Sequence, residues 1–225
     1  MTPVQTEIPA LVMGDKLTRD EFMRRWEAMP NLKRAELIGG IVYMPSPLSR
    51  MHGDFDMAVG SWLWMYSVST PGCEAGANAT WLMKEEDAPQ PDCDLRILPE
   101  YGGQSRMEGE YSAGAPEFLG EVCLSSTSYD LNQKLDLYEA AAVLEYVAVL
   151  VREHEVRWHR LVAGKFQVMA PGSDGILRSV VFPGLWLDPA ALLTQDKQRM
   201  LAALQQGLQS PEHAAFVAEL SRRKK

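Results

Sequence analysis

The sequence predicts an α/β fold: a mixed, twisted central sheet flanked by helices, with a helical C-terminal extension. Three observations predict it. Short apolar runs of strand length recur along the chain, among them RAELIGGIVY, QPDCDLRI, PEFLGEVCLSS and LEYVAVLV. Stripes of helical period stand between and after them, such as Phe55, Val59, Trp62 and Tyr66. Two of the runs carry carboxylates: Asp92 and Asp94 in the first, Glu121 in the second. A carboxylate inside an apolar strand is costly unless something positive meets it.

Composition narrows the class. A chain of 225 residues fits one ordinary domain, or one domain with a helical appendage, and 46% hydrophobic with 23% charged residues is the balance of a soluble globular protein. No apolar run approaches the length of a membrane span. The start, MTPVQTEIPALVMGDK, lacks the basic head and long apolar core of a secretory leader. Cys73, Cys93 and Cys123 are odd in number and form no CxxC pair, so a zinc site and a disulfide framework are not expected, and a reducing cytoplasm is. The net charge of −8 argues against a generic nucleic-acid coat. It still allows a nucleic-acid enzyme, whose contacts need only a local basic surface. Arg24 with Arg25, Lys33 with Arg34, Arg50 and the terminal RRKK are candidates, each more often an ordinary solvated face.

In chain order, residues 1–16 read as an irregular arm, 17–193 as the main domain and 194–225 as the extension. Thr18 with Glu21 has capping-box spacing and opens a helix with Phe22, Trp26 and Met29 as its packing stripe. Gly39-Gly40 between apolar runs is a hairpin signal, and Glu36 sits on its first strand. After PSP a helix is expected over residues 51–67, with His52 in its first turn, where a side chain can meet a phosphate beside exposed amides. Trp62, Trp64 and Trp81 read as core. The glycine-rich stretch 99–114 reads as a surface loop over the site. Thr127 and Asp130 repeat the capping spacing and open a helix expected over 129–142, on which Asp130 and Lys134 share a face. LEYVAVLV and EVRWHRL form a hairpin, GKFQVMAPG and LRSVVF add strands, and FPGLWLDP closes the sheet. Asp188 then caps a helix opened by Pro189, and two helices finish the chain, one across 196–207 and one opened by Ser210-Pro211.

Two acidic strands side by side, with a lysine delivered from the next helix, suit a divalent cation. Mg²⁺ takes oxygen ligands and keeps several waters, so one or two carboxylates suffice. Such an ion neutralises charge on a scissile phosphate, and a nearby ammonium stabilises charge that develops there. Asp94 shares a strand face with Asp92 and is either a second ligand or a partner for Arg96.

These pieces, in this order, resemble the Uma-type restriction endonucleases of the PD-(D/E)xK nuclease superfamily. RAELIGGIVYMPSP, His52, QPDCDLRI, GAPEFLGEVCLSSTSYDLNQKLDLY and EYVAVLV carry the resemblance, which covers roughly 17–161. It implies a restriction-endonuclease-like fold and Mg²⁺-dependent hydrolysis of DNA, with Mn²⁺ as a substitute, by a homodimer without membrane partners. Asp92 and Glu121 would be the metal ligands, Glu36 a further or water-mediated ligand, and His52 a nucleic-acid contact. The superfamily's lysine, two residues after the glutamate, is here Cys123; the implied replacement is Lys134, acting catalytically from the following helix. The competing reading is a catalytically silent nucleic-acid-binding or assembly module on the same fold. Paired carboxylates also serve glycosidases, but the tryptophans read more simply as core than as sugar platforms.

Overall fold

The computed structural model describes residues 8–45, 47–124 and 129–224, and of residues 129–131 the backbone alone. Helix α1 (Arg19–Glu27) starts at Thr18, whose side chain accepts the Glu21 N–H. The hairpin β1 (Glu36–Ile38) and β2 (Ile41–Tyr43) turns at Gly39-Gly40, both with positive φ that glycine adopts without strain. Helix α2 (Arg50–Ser69) begins at the Ser49 cap. Then follow β3 (Cys73–Ala77), β4 (Trp81–Leu82), β5 (Cys93–Ile97), β6 (Arg106–Glu108), β7 (Tyr111–Ala113) and β8 (Phe118–Cys123). A π-helical turn over Tyr129–Lys134 leads into α3 (Leu135–Ala140). The remainder is β9 (Glu145–Leu150), β10 (Glu155–Val162), β11 (Lys165–Val168), β12 (Leu177–Arg178), β13 (Trp186–Leu187), α4 (Pro189–Leu193), α5 (Lys197–Leu208) and α6 (Pro211–Arg223).

The central sheet has six strands in the order β11-β10-β9-β8-β5-β3. Only the β8–β9 pairing is parallel, so the sheet is mixed as expected. β8 and β9 are buried along their whole length, which is why PEFLGEVC and EYVAVL read as near-continuous apolar runs. One face packs under α2, where Trp62 meets Phe118 and Trp158 edge-on at centroid distances of 5.9 and 5.8 Å. The other face is covered by α3, with Leu119, Cys123, Leu137, Tyr138 and Tyr146 in one apolar cluster.

Several elements depart from the sequence expectation. LRSVVF and FPGLWLDP do not extend the central sheet; they yield the separate two-stranded ribbon β12–β13. The cause is Glu145, fully buried, whose carboxylate accepts the Val180 and Val181 N–H groups at 2.8 and 3.1 Å and the Ser179 hydroxyl at 2.7 Å. Backbone groups satisfied by a side chain need no ladder. The glycine-rich stretch is not a loop over the site: it forms a 3₁₀ turn (Pro99–Tyr101) and the β6–β7 hairpin, which pairs with β4 away from the cleft described below. Trp64 is not core but 62% exposed, whereas Trp62 and Trp81 are buried. The helix expected over 129–142 opens instead with the π turn and ends at Ala140. Thr127 and the Asp130 side chain, hence the second capping box and the Asp130–Lys134 pair, lie outside the described residues.

Candidate active site

Register brings the acids together. β5 and β8 run antiparallel with Cys93 opposite Gly120. A Cβ on Gly120 would lie 2.6 Å from the Cys93 sulfur, so the bare glycine is what lets these strands seat. One residue before Cys93 and one after Gly120, side chains alternate to the other face. There Asp92 and Glu121 line a common cleft of about 510 Å³ with Arg34, Glu36, His52, Lys134 and Arg152.

Each side chain is held from a different element. Asp92 Oδ2 accepts the Val122 N–H at 2.9 Å, which ties the acid to the neighbouring strand. Its two oxygens also face Arg34 Nη2 at 3.4 Å and His52 Nε2 at 3.5 Å. His52 comes from the first turn of α2, fixed by the Ser49 cap that accepts its N–H. Glu36 Oε1 accepts the Gln90 N–H at 2.8 Å, locking β1 to the segment that precedes Asp92. Lys134 Nζ stands 2.9 Å from Glu121 Oε1 and 3.1 Å from Glu36 Oε1, and the Tyr138 hydroxyl donates to the same Glu121 oxygen at 2.6 Å. π turns are frequent at functional sites, and here Lys134 stands at the end of one.

The electrostatics follow from burial and pairing. Burial pushes the Asp92 carboxyl up, but the His52 ring, the Val122 N–H and the Lys134 charge outweigh it and hold its pKa below the ordinary value. The Asp92 contact raises the His52 pKa against the effect of burial. Asp56, on the same helix, has its pKa raised by burial first and by the Asp92 charge second. Three buried carboxylates, Glu36, Asp92 and Glu121, thus share one cleft with a lysine, two arginines and a histidine.

All five residues singled out from sequence, Glu36, His52, Asp92, Glu121 and Lys134, line this cleft. Asp94 does not. It accepts the Trp81 indole N–H at 3.1 Å on the sheet, and Arg96 pairs instead with Glu74. Cys123, at the position of the superfamily lysine, is fully buried in the apolar cluster beneath α3, a site where an ammonium would have no water. Arg34, which the sequence offers only as part of a candidate basic surface, also lines the cleft; it stands two residues before Glu36, the spacing that gives one side of a strand. Sequence reasoning passed over Tyr138, four residues after Lys134 and so one helical turn on.

The donor set fits a hard divalent cation. Among the described residues no three His, Cys, Asp or Glu side chains form a ready-made cage. The carboxylates of Asp92 and Glu121 nonetheless offer hard oxygens from adjacent strands, and Mg²⁺ needs only one or two of these beside water.

Burial raises the Asp94 pKa from 3.8 to about 6, with the Trp81 and Gly76 N–H groups opposing. The folded state therefore binds this proton more tightly than the unfolded chain, and stability falls as pH rises from about 4 to about 6, by on the order of 2–3 kcal/mol. Asp94→Asn is expected to flatten that fall, as read by urea denaturation at a series of pH values; an unchanged slope would refute the assignment.

The chain matches Uma2, "Putative restriction endonuclease", over residues 19–190. Among solved structures it is similar to the crystal structure of "a putative nuclease belonging to DUF820" from Anabaena variabilis ATCC 29413, with a TM-score of 0.59 and 16% identity over 79% of this chain and 99% of that one. No curated protein matches the chain. No helix among the described residues is long and apolar enough to cross a membrane. With three quarters of its length matched, including every residue of the cleft's acidic set, the chain belongs to the Uma2 family of restriction-endonuclease-like proteins.

Proposed function

We propose that the protein is a divalent-metal-dependent endonuclease that hydrolyses phosphodiester bonds in DNA, in the cytoplasm and as a homodimer, through a nuclease domain spanning 17–193. The observation that carries this reading is the Lys134 ammonium at 2.9 Å from Glu121, in the cleft that also holds Asp92. The positive charge that the superfamily supplies two residues after its glutamate is brought here from another element to the same carboxylate.

In this reading Asp92 and Glu121 hold Mg²⁺ or Mn²⁺, with Glu36 as a further ligand. When bound, the ion supplies Lewis acidity toward the phosphoryl oxygens. The chain does the rest. Lys134 places a donor and a full charge where negative charge grows on the reacting phosphate. His52 and Arg34, each already directed at Asp92, and Arg152 on the cleft wall offer donors to the flanking phosphates. Tyr138 fixes the rotamer of Glu121 through its hydroxyl. Burial of the acids keeps their orientation fixed before substrate arrives.

Nicking of supercoiled plasmid, with an RNA substrate in parallel, tests the reading. Cutting of DNA is expected with Mg²⁺ or Mn²⁺ and is expected to stop with excess chelator. A protein that binds DNA with or without metal and never cuts it would be the silent module instead.

A further inference from the structure

The sequence places Gln90 between two prolines, Pro89 and Pro91, just before Asp92. Each ring fixes its own φ, and a residue followed by proline is held to extended conformations, so little freedom is left to this backbone. The fold then fastens the residue twice. Its N–H donates to Glu36 Oε1 at 2.8 Å, and its side-chain Nε2 donates to Thr80 Oγ1 at 2.7 Å. Thr80 stands opposite Gln90 because residues 78–81 run antiparallel to 89–92. The Trp81 N–H donates to the Pro89 carbonyl at 2.9 Å, and the Asn78 N–H to the Asp92 carbonyl at 3.1 Å.

The other end of that carboxamide is left over. Gln90 is 7% exposed and lines the cleft of Asp92 and Glu121, yet its Oε1 is buried with no hydrogen-bond partner among the described residues. Thr80 lies off the cleft wall, so holding the amine end there leaves the oxygen end for the cleft. Buried acceptors are rarely left unmet, and an orphan on the wall of a site points to something that the site binds. Two more orphans belong to this cleft, His52 Nδ1 and Arg34 Nε, but those side chains already turn another nitrogen to Asp92. Gln90 Oε1 is the orphan that asks for a positive charge or a proton.

We propose that the Gln90 carboxamide oxygen is a ligand of the divalent cation held by Asp92 and Glu121. The inference rests on the metal of the nuclease reading and adds a donor to it. An amide oxygen is a hard donor of the class that such cations take. Its neutrality suits the place. Glu36, Asp92 and Glu121 are already three buried carboxylates, and a fourth would add repulsion that a carboxamide dipole does not. Donation from Nε2 to Thr80 polarises the amide and raises the negative charge on its oxygen. With the backbone set by prolines and the side chain set by Thr80, little ordering remains to oppose binding.

Mn²⁺ binding to the metal-free full chain, read by calorimetric titration and by loss of the free-Mn²⁺ spin-resonance signal, tests this without any cleavage. The parent and Asp94→Asn should bind the ion alike, and Asp92→Asn should lose it. Gln90→Met keeps the length and the N–H to Glu36 but offers only a soft sulfur, so its Kd should rise about 10-fold or more. Gln90→Glu presents an oxygen to the cleft whichever way its head turns, and should bind Mn²⁺ at least as tightly as the parent. Parental affinity in Gln90→Met, with binding lost in Asp92→Asn, would overturn the proposal and leave the nuclease reading standing. Binding as weak in Gln90→Glu as in Gln90→Met would also overturn it, because the glutamine would then serve the fold rather than the ion. A parent chain that takes up no Mn²⁺ at millimolar concentration would overturn both.

Discussion

Lys134→Ala is expected to lower stability by about 3–5 kcal/mol and plasmid nicking by about 100- to 1,000-fold. Lys134 is only 4% exposed and sits between two carboxylates that are themselves buried. Removing one member of a buried ionic cluster strands the others away from water, and that desolvation is the main cost. A surface pair such as Arg50–Asp54, with the arginine side chain 92% exposed, is worth only ~0.3–0.5 kcal/mol by contrast. The cleft supplies a further expectation. With the ammonium gone, a divalent cation can take over its part in neutralising Glu36 and Glu121. Mg²⁺ or Mn²⁺ should therefore stabilise the Lys134→Ala protein more than the parent, as a ligand bound only by the folded state does. Calorimetric melts with and without the ion measure the first effect, and nicking of supercoiled DNA the second. Nicking at the parental rate would show that Lys134 is only a structural counter-ion, even if the metal reading stood.

The acidic part of the site was legible because acids in apolar strands are anomalous, but that signal does not separate its causes. Glu145 and Glu117 are also buried carboxylates on or beside apolar strands. Both are absorbed by the fold: Glu145 by the 179–181 segment, and Glu117 by the N–H groups of Ile97 and Gln104, each at 2.8 Å. What distinguishes Asp92 and Glu121 is that their partners include side-chain cations on a cleft, a fact of three dimensions. Lys134 was legible as a lysine on the element after the second acidic strand, and the resemblance added its catalytic role; the π turn that carries it is not foretold by spacing along an ideal helix. Trp64 was misread because a tryptophan was taken as core by residue type, although it lies off the Phe55, Val59, Trp62 and Tyr66 stripe that α2 buries. The β12–β13 ribbon was misread because a carboxylate thirty-odd residues earlier takes the hydrogen bonds that a ladder would have used.

Asp92→Asn and Asp94→Asn make the sharpest contrast, since the same change two residues apart should have opposite consequences. Asp92 faces Arg34, His52 and the Val122 N–H inside the cleft. Its depressed pKa means that its contribution to stability is fully present above the ordinary carboxylate range and is lost as pH falls through the lower, folded-state value. Asparagine keeps an acceptor for Val122 but removes the charge that Arg34 and His52 face, so about 1–3 kcal/mol of stability should be lost near neutral pH. DNA cleavage should fall at least about 1,000-fold, because an amide is a poor ligand for a hard cation and the loss adds to that of a preorganised charge. The His52 pKa should drop, visible in its ring resonances, because the Asp92 contact is what raises it. Asp94 accepts the buried Trp81 indole and lines no part of the cleft, so Asp94→Asn should cut at the parental rate while gaining stability near neutral pH. Equal loss of cutting in both proteins would mean that the strand as a whole, rather than the carboxylate at its mouth, is what catalysis requires. Loss in Asp92→Asn alone, with Glu121→Gln behaving likewise, is the pattern that a metal held across β5 and β8 demands.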